Sequence, residues 1–301
     1  MKPLVSVVIP TYRRPELVQR AVRSALGQTV SDVEVIVVVD GRDAETVARL
    51  GELDDARLRV IVPDRHLGNA DARNTGVNGA RAHWVAFLDD DDEWLPAKLE
   101  RQLACARACV QPNPVTTCRL LARTEDGTFV WPRRPPRPGE PLSEYFFCRK
   151  TPFTGEGMVV NSAVMTTREL ATRVPFRSGL ARHADPDWLL RAATAPGSTL
   201  VLVPGSEPLL VWHIERGRDR ITNRRDWEYS LAWARDNRGL FTARGYAAFL
   251  LHVVSAIAAA QSERCAYGML LREALRAGRP APVDVVAHTG NFLLPDVVQR
   301  A

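Results

Sequence analysis

Four consecutive carboxylates, Asp89-Asp90-Asp91-Asp92, follow the apolar run Trp84–Leu88. Acids so crowded repel one another and call for a strong compensating charge. A hard divalent cation held by one or two carboxylates, with phosphate oxygens and water completing its shell, supplies it. A strand that delivers acids at its C-terminal tip alternates their side chains, so Asp89 and Asp91 point one way and Asp90 and Asp92 the other. The plainer alternative is a solvated acidic turn ahead of a helix beginning near Pro96, with Asp92 and Glu93 beside its positive end.

The elements that must position these acids are legible. Leu4–Pro10 is a β-rich apolar run. Pro15 suits a first helical position, and Leu17, Val18, Ala21, Val22, Ala25 and Leu26 then repeat on one face. Glu34–Val39, Leu58–Val62 and Trp84–Leu88 read as further strands, and Asp71–Gly79 as a helix. Glu34–Val39 is apolar throughout its centre, as expected of a parallel strand covered on both faces. Alternation of strand and helix predicts an α/β sheet built from right-handed crossovers. Ligands of such sheets bind beyond the strand C-termini, where Tyr12, Asp40 and Asp89–Asp92 all fall, delivered by three different strands.

Farther along, residues 131–139 hold too much proline and glycine for regular structure and read as an exposed connector. Phe153–Thr167 is strand-like, Asp185–Ala195 helical, and Leu200–Val203 and Leu209–Trp212 are strands. From Asp226 onward the pattern is helical, with Trp227, Leu231 and Ala234 on one stripe. The expected division is a domain over 1–215, with halves at 1–120 and 121–215, and a helical C-terminal extension over 216–301.

The chain has 301 residues, 46% of them apolar and 25% charged, with a formal charge of +5. That is globular material, large enough for one elaborated domain or two small ones. Lysine occurs only at 2, 98 and 150, and no lysine-rich patch interleaved with aromatics favours nucleic acid. Five cysteines without CxxC or Cys/His spacing read as reduced, mostly buried thiols of a cytoplasmic protein. The opening MKPLVSVVIP reads as a first strand, not a leader. Tyr246–Ala260, interrupted by His252, is expected to be a buried helix too short to span a bilayer. Peripheral membrane contact stays open.

The blocks SVVIPTYRR (6–14), EVIVVVDG (34–41), the long run 68–102 and HADPDWLLRA (183–192) together resemble the inverting family 2 glycosyltransferases of GT-A fold. The resemblance implies a Rossmann-like mixed sheet flanked by helices. It also implies a UDP-, GDP- or TDP-sugar donor, Mg²⁺ or Mn²⁺, and transfer of one sugar to a hydroxyl on a glycan, lipid-linked or small-molecule acceptor. Carried over residue by residue, Tyr12 is similar to the residue that packs on the nucleotide base, with Pro10 and Thr11 shaping its turn. Asp40 resembles the carboxylate that accepts from the base. Arg73 looks like the basic group near ribose and phosphates, with Asn69 nearby. Asp89 and Asp91 match the outer residues of the Asp-x-Asp motif, Asp91 as direct metal ligand, and Asp90 reaches the ribose. Asp185 resembles the catalytic base, with Asp187 as the alternative, and His213 a histidine that completes the metal site.

Asp185 before Pro186 also fits a helix N-cap, and His213 an ordinary strand-end histidine. The five arginines of 216–225 read as a solvated loop or, less simply, as a lid over the diphosphate. A nucleotidyltransferase is the rival enzyme, disfavoured by the lack of a glycine-rich, lysine-bearing N-terminal loop. An inactive nucleotide-sugar-binding subunit is the rival outside catalysis, disfavoured by Asp91 and Asp185 together.

Overall fold

A computed structural model describes residues 2–124, 127–151, 155–214 and 226–293. The arginines of 216–225 lie outside the described residues. The chain divides into two compact units. One comprises Met1–Trp131, Val159–Leu180 and Ala184–Arg216, and the other Pro132–Met158, Ala181–His183 and Gly217–Ala301.

The first unit is built on β1 (Val5–Thr11) and β2 (Val33–Val39), every residue of which is buried. Their largely apolar runs need cover on both faces, and the buried Ser6 and Glu34 within them pair with each other. α1 (Pro15–Leu26) starts on its proline and turns Val18, Ala21, Val22 and Ala25 inward. α2 (Ala44–Gly51), unanticipated from the sequence, is capped by Asp43 on the Thr46 N–H. β3 (Leu58–Ile61), α3 (Asn69–Gly79) and β4 (Trp84–Phe87) follow. After β5 (Glu93–Trp94) and α4 (Lys98–Arg107) come β6 (Asn113–Thr117), β7 (Leu120–Thr124) and β8 (Gly127–Trp131).

Among the described residues, the main sheet has seven strands in the order β10-β6-β9-β4-β1-β2-β3. Here β9 is Met165–Thr167 and β10 is Ser198–Leu202. Only β9 runs antiparallel to its neighbours, so the sheet is mixed, as expected. A second sheet joins β5, β11 (Leu210–His213), β7 and β8. The strand expected over Phe153–Thr167 shrinks to β9. Before it, Asn161–Ala163 forms a 3-10 turn whose buried polar side chains turn toward acids instead of following a strand's alternation.

The second unit is helical. It contains α5 (Leu142–Phe147), whereas α6 (Arg168–Arg173) and α7 (Ala184–Ala193) belong to the first. Its α8 (Trp227–Asp236) is capped by Asp226 on the Tyr229 N–H and buries the expected Trp227, Leu231 and Ala234. Ala243–Ala260 is one continuous helix with a π segment at Phe249–Val254. At 18 residues it is long and apolar enough to cross a membrane, contrary to the expectation, yet 72% of it is buried against its own unit. Two more helices, Cys265–Ala277 and Pro282–Leu293, complete the unit. The cysteines are all free, but only Cys118 is buried, which corrects the expectation of mostly buried thiols.

Candidate active site at the carboxyl edge of the sheet

β4, β1 and β2 are adjacent and parallel, so their C-terminal ends reach one edge together. That edge receives Thr11 and Tyr12 from β1, Asp40 from β2 and the acidic run from β4. The strand stops at Phe87, and the acids occupy a tight turn in which the Asp92 N–H donates to the Asp89 carbonyl at 3.2 Å. Burial still alternates along it, with Asp90 and Asp92 buried and Asp89 and Asp91 half-buried. Each carboxylate has its own surroundings.

Asp89 receives the guanidinium of Arg73. Asp90 is buried, accepting from Thr11 Oγ1 at 2.7 Å and from Arg14 at 3.0 Å. The same Arg14 nitrogen lies 3.7 Å from Asp91, whose carbonyl accepts from Arg20 at 2.5 Å. Asp92 is buried and accepts from Ser162 Oγ at 2.5 Å. The acidic turn is thus not a helix cap: α4 begins only at Lys98, and Glu93 lies in β5. Burial, partly offset by Arg14, joins repulsion from Asp91 and Asp89 to push the Asp90 carboxyl up to about 6. Among the described residues, Arg14, Arg20 and Arg73 reach the turn.

Tyr12 and Arg14 diverge because Arg13 between them adopts a left-handed φ of 53°, a conformation costly for a residue with a Cβ. Arg14 goes inward to the acids. Tyr12 is 44% exposed and packs beside His66, ring centroids 4.5 Å apart. Asp40 is buried and faces the loop entering α3. It accepts from the Leu67 and Gly68 N–H groups at 2.6 and 2.9 Å and lies 3.0 Å from His66 Nδ1. Pro10 is buried in β1, and Asn69 is exposed at the first residue of α3.

α3 lies close on β1 because Gly76 has no side chain: a Cβ there would come within 2.4 Å of Val8 Cγ1. One turn earlier, Arg73 is completely buried, with Phe176 5.3 Å from its guanidinium carbon. Its Nε and Nη1 have no hydrogen-bond partner among the described residues. Its charge acts on Asp89 first and on Asp185 next.

Asp185 lies in the first turn of α7, which begins at Ala184, so it is not the N-cap. Asn161 grips its carboxylate, donating Nδ2 to Oδ1 at 2.6 Å and its backbone N–H to Oδ2 at 3.3 Å. The residue is partly exposed, but its carboxyl is closely surrounded. Burial first, opposed by Arg73 and reinforced by Asp89, pushes it up to about 6. Asp187 is fully buried between Arg177 at 3.0 Å and Arg191 at 2.8 Å. His213 is buried at the end of β11, its Nε2 3.8 Å from Glu93 Oε2. β11 pairs antiparallel with β5 through Leu210↔Trp94 and Val211↔Glu93.

The structure therefore gathers Thr11, Arg73, Asp89, Asp90, Asp91 and Asp185 into one connected set. Asp40 and Tyr12 are joined instead to the loop at His66–Gly68. Sequence reasoning missed Arg14, His66, Asn161 and Ser162. Two polar residues interrupting an apolar run were the available signal for Asn161 and Ser162. Among the described residues no three His, Cys, Asp or Glu side chains form a complete metal cage. The hard oxygens of the acidic turn fit a divalent cation whose coordination a substrate completes.

Residues 6–173, more than half of the chain, match the sequence profile described as Glycosyl transferase family 2. The chain belongs to that family. The E. coli K12 protein described as putative colanic acid biosynthesis glycosyl transferase WcaA is 35% identical over 73% of this family 2 chain and 76% of its own. Succinoglycan biosynthesis protein ExoO of Rhizobium meliloti is 40% identical over 35% of this chain. The match spans only 30% of ExoO, and 64% of the uncharacterized glycosyltransferase MJ1057 of Methanocaldococcus jannaschii, at 30% identity over 63% of this chain. In fold, the chain resembles the mannosyltransferase PcManGT of Pyrobaculum calidifontis in complex with GDP-Man and Mn²⁺ (TM-score 0.57, 18% identity, 98% of this chain and 88% of that one). It also resembles S. aureus TarS 1–349 in complex with UDP-GlcNAc (TM-score 0.56, 16% identity, 98% and 82%). These are GT-A glycosyltransferases, and the family 2 chain shares their mixed α/β architecture.

Proposed function

We propose that this family 2 glycosyltransferase moves one sugar from a nucleoside-diphosphate donor to an acceptor hydroxyl, inverting the anomeric carbon, with Mg²⁺ or Mn²⁺ bound. The observation that carries the reading is the convergence of Asp89, from the acidic turn, and Asp185, from α7, on one buried guanidinium, that of Arg73. A leaving-group apparatus and a base can then serve the same small volume.

In this reading Tyr12 packs on the nucleotide base, with Pro10 and Thr11 shaping its turn, and Asp40 orders the loop leading to Asn69. Arg73, Asp89 and Asp90 face the ribose and phosphates, and Asp91 with His213 would hold the cation. When bound, that cation supplies charge neutralisation at the diphosphate as the glycosidic bond breaks. Asp185 takes the proton of the acceptor hydroxyl, and direct attack opposite the leaving group inverts the centre without a protein nucleophile. Asp187, locked between two arginines, is not available for that role. An upward-shifted carboxyl suits a base that must be ionised near neutrality yet accept a proton.

Donors named for the relatives support the nucleotide-sugar reading: UDP-GlcNAc for TarS, GDP-Man with Mn²⁺ for PcManGT. Relatives described as making succinoglycan, amylovoran and colanic acid favour a glycan acceptor. The E. coli enzyme WfgD, described as acting on α-D-GlcNAc-diphosphoundecaprenol, favours a lipid-linked one. We place the chain in the cytoplasm, where such donors are made.

The test is a thermal-shift screen of UDP-, GDP- and TDP-sugars with Mn²⁺ or EDTA, followed by NMR of the product's anomeric configuration. One donor should raise Tm only with metal, by mass action, and the product should be inverted. Retention of configuration, or a shift indifferent to EDTA, would overturn the mechanism.

A further inference from the structure

The 3-10 turn Asn161–Ser162–Ala163 touches both halves of the site through adjacent residues. Asn161 is wholly buried and holds both oxygens of Asp185. An ionised carboxylate only accepts, so the Asn161 amide must present its Nδ2 to Oδ1. Ser162, also wholly buried, is threaded into the acidic turn. Its Oγ accepts from the Asp89 N–H at 3.0 Å and donates to Asp92 Oδ2 at 2.5 Å. The turn is itself anchored. Trp94 Nε1 donates to the Ser162 carbonyl at 2.8 Å, and Gln102 Nε2 to the Ala163 carbonyl at 2.9 Å. No short motif marks these residues, yet two wholly buried polar side chains side by side are both committed to carboxylates.

We propose that residues 161–163 form one positioning device with divided labour: Asn161 aims the Asp185 carboxylate and favours its ionised form, while Ser162 sets the shape of the donor-side acidic turn. The inference rests on Asp185 being the base. Among the described residues, the charged groups facing Asp185 are Arg73 of α3, which favours its ionised form, and Asp89 of the acidic turn, which opposes it. Asn161 adds a neutral side-chain donor to that balance. Removing it leaves burial and Asp89 opposed only by Arg73 and one backbone N–H, so the proton is held to higher pH.

The experiment compares pH profiles of transfer, with donor and acceptor saturation separated. Asn161→Ala should lower kcat about ten- to a hundred-fold with donor KM nearly unchanged. It should also move the acid limb of the profile up by about one pH unit. Asn161→Asp, nearly isosteric and checked for folding by its melting curve, should move the limb further up, because it sets a second carboxyl against Asp185. Ser162→Ala should weaken donor binding about ten-fold while leaving the acid limb in place. Two results would overturn the division: equal damage to kcat and KM in both positions, or an acid limb unmoved in both Asn161 variants. Asp185→Asn in the same assay separates the premises. If it retains transfer, the base reading fails; if it abolishes transfer while the Asn161 limb stays fixed, only the positioning inference fails.

Discussion

The two units each bury an aspartate among polar partners, and they resolve the charge in opposite ways. In the helical unit, Asp284 is completely buried, yet its carboxyl is held below the usual range. Burial works to raise it. A 2.8 Å bond to His252, two from Arg244 and the Ala281 N–H outweigh that effect. At the sheet edge, Asp90 and Asp185 are pushed up to about 6, because burial and neighbouring carboxylates exceed what Arg14 and Arg73 supply. A satisfied cluster cements a fold. An under-compensated one stores a demand for positive charge or for a proton, which is what a reacting site needs.

The contrast breaks most easily at Asp185. Asp185→Asn should reduce transfer about a thousand-fold while donor binding, read by thermal shift, persists. Because the folded carboxyl is raised, the folded state binds the proton more tightly. Its stability contribution therefore falls as pH rises from about 4 to about 6, and the variant should melt no lower than the parent at pH 7. Activity unchanged in that variant would remove Asp185 from the chemistry.

The mirror experiment is Asp284→Ala. It leaves buried His252 and the half-buried Arg244 without their acid and should cost about 1–3 kcal/mol by denaturant unfolding, with the donor KM of the folded fraction unaltered. Asp284 has a depressed pKa, so its stabilisation is present above the usual carboxylate range and is lost as pH falls through the lower value. A catalytic defect at full stability would erase the distinction between the two clusters.

Two smaller tests sharpen it. Gly76→Ala should cost about 1–3 kcal/mol and lower turnover as well, since a Cβ meeting Val8 must push α3, and Arg73 with it, off the sheet. Lys98, fully buried over the Trp94 ring at 3.8 Å and bonded to Gln102, has its pKa lowered by burial to about 8. The unfolded chain binds that proton more tightly, so stability should rise with pH between about 8 and 10.5, and Lys98→Met should flatten the rise in melting curves.

Much of the site's address was legible. Buried parallel strands announce themselves as predominantly apolar runs, and residues just past their ends must lie on one edge, so Tyr12, Asp40 and Asp89–Asp92 were placed together from spacing. What each acid does was not legible. That a turn, not a strand, carries Asp89–Asp92 was not legible, because the turn is held by partners such as Ser162. That partner arrives from 73 residues away in the chain. Likewise, Asp185 and Asp187 are equivalent in sequence, and only Arg177 and Arg191 packing on one of them tells them apart.

The sequence by itself determined the family, the alternation of strand and helix, and the edge at which acids accumulate, because these follow from local periodicity and contiguous residues. The tertiary structure alone decided which carboxylates are held below the usual range and which are pushed above it. Burial and charge balance are sums over neighbours distant in the chain, such as Arg73 with Asp185 or Asn161 with the same carboxylate, and no local pattern encodes them.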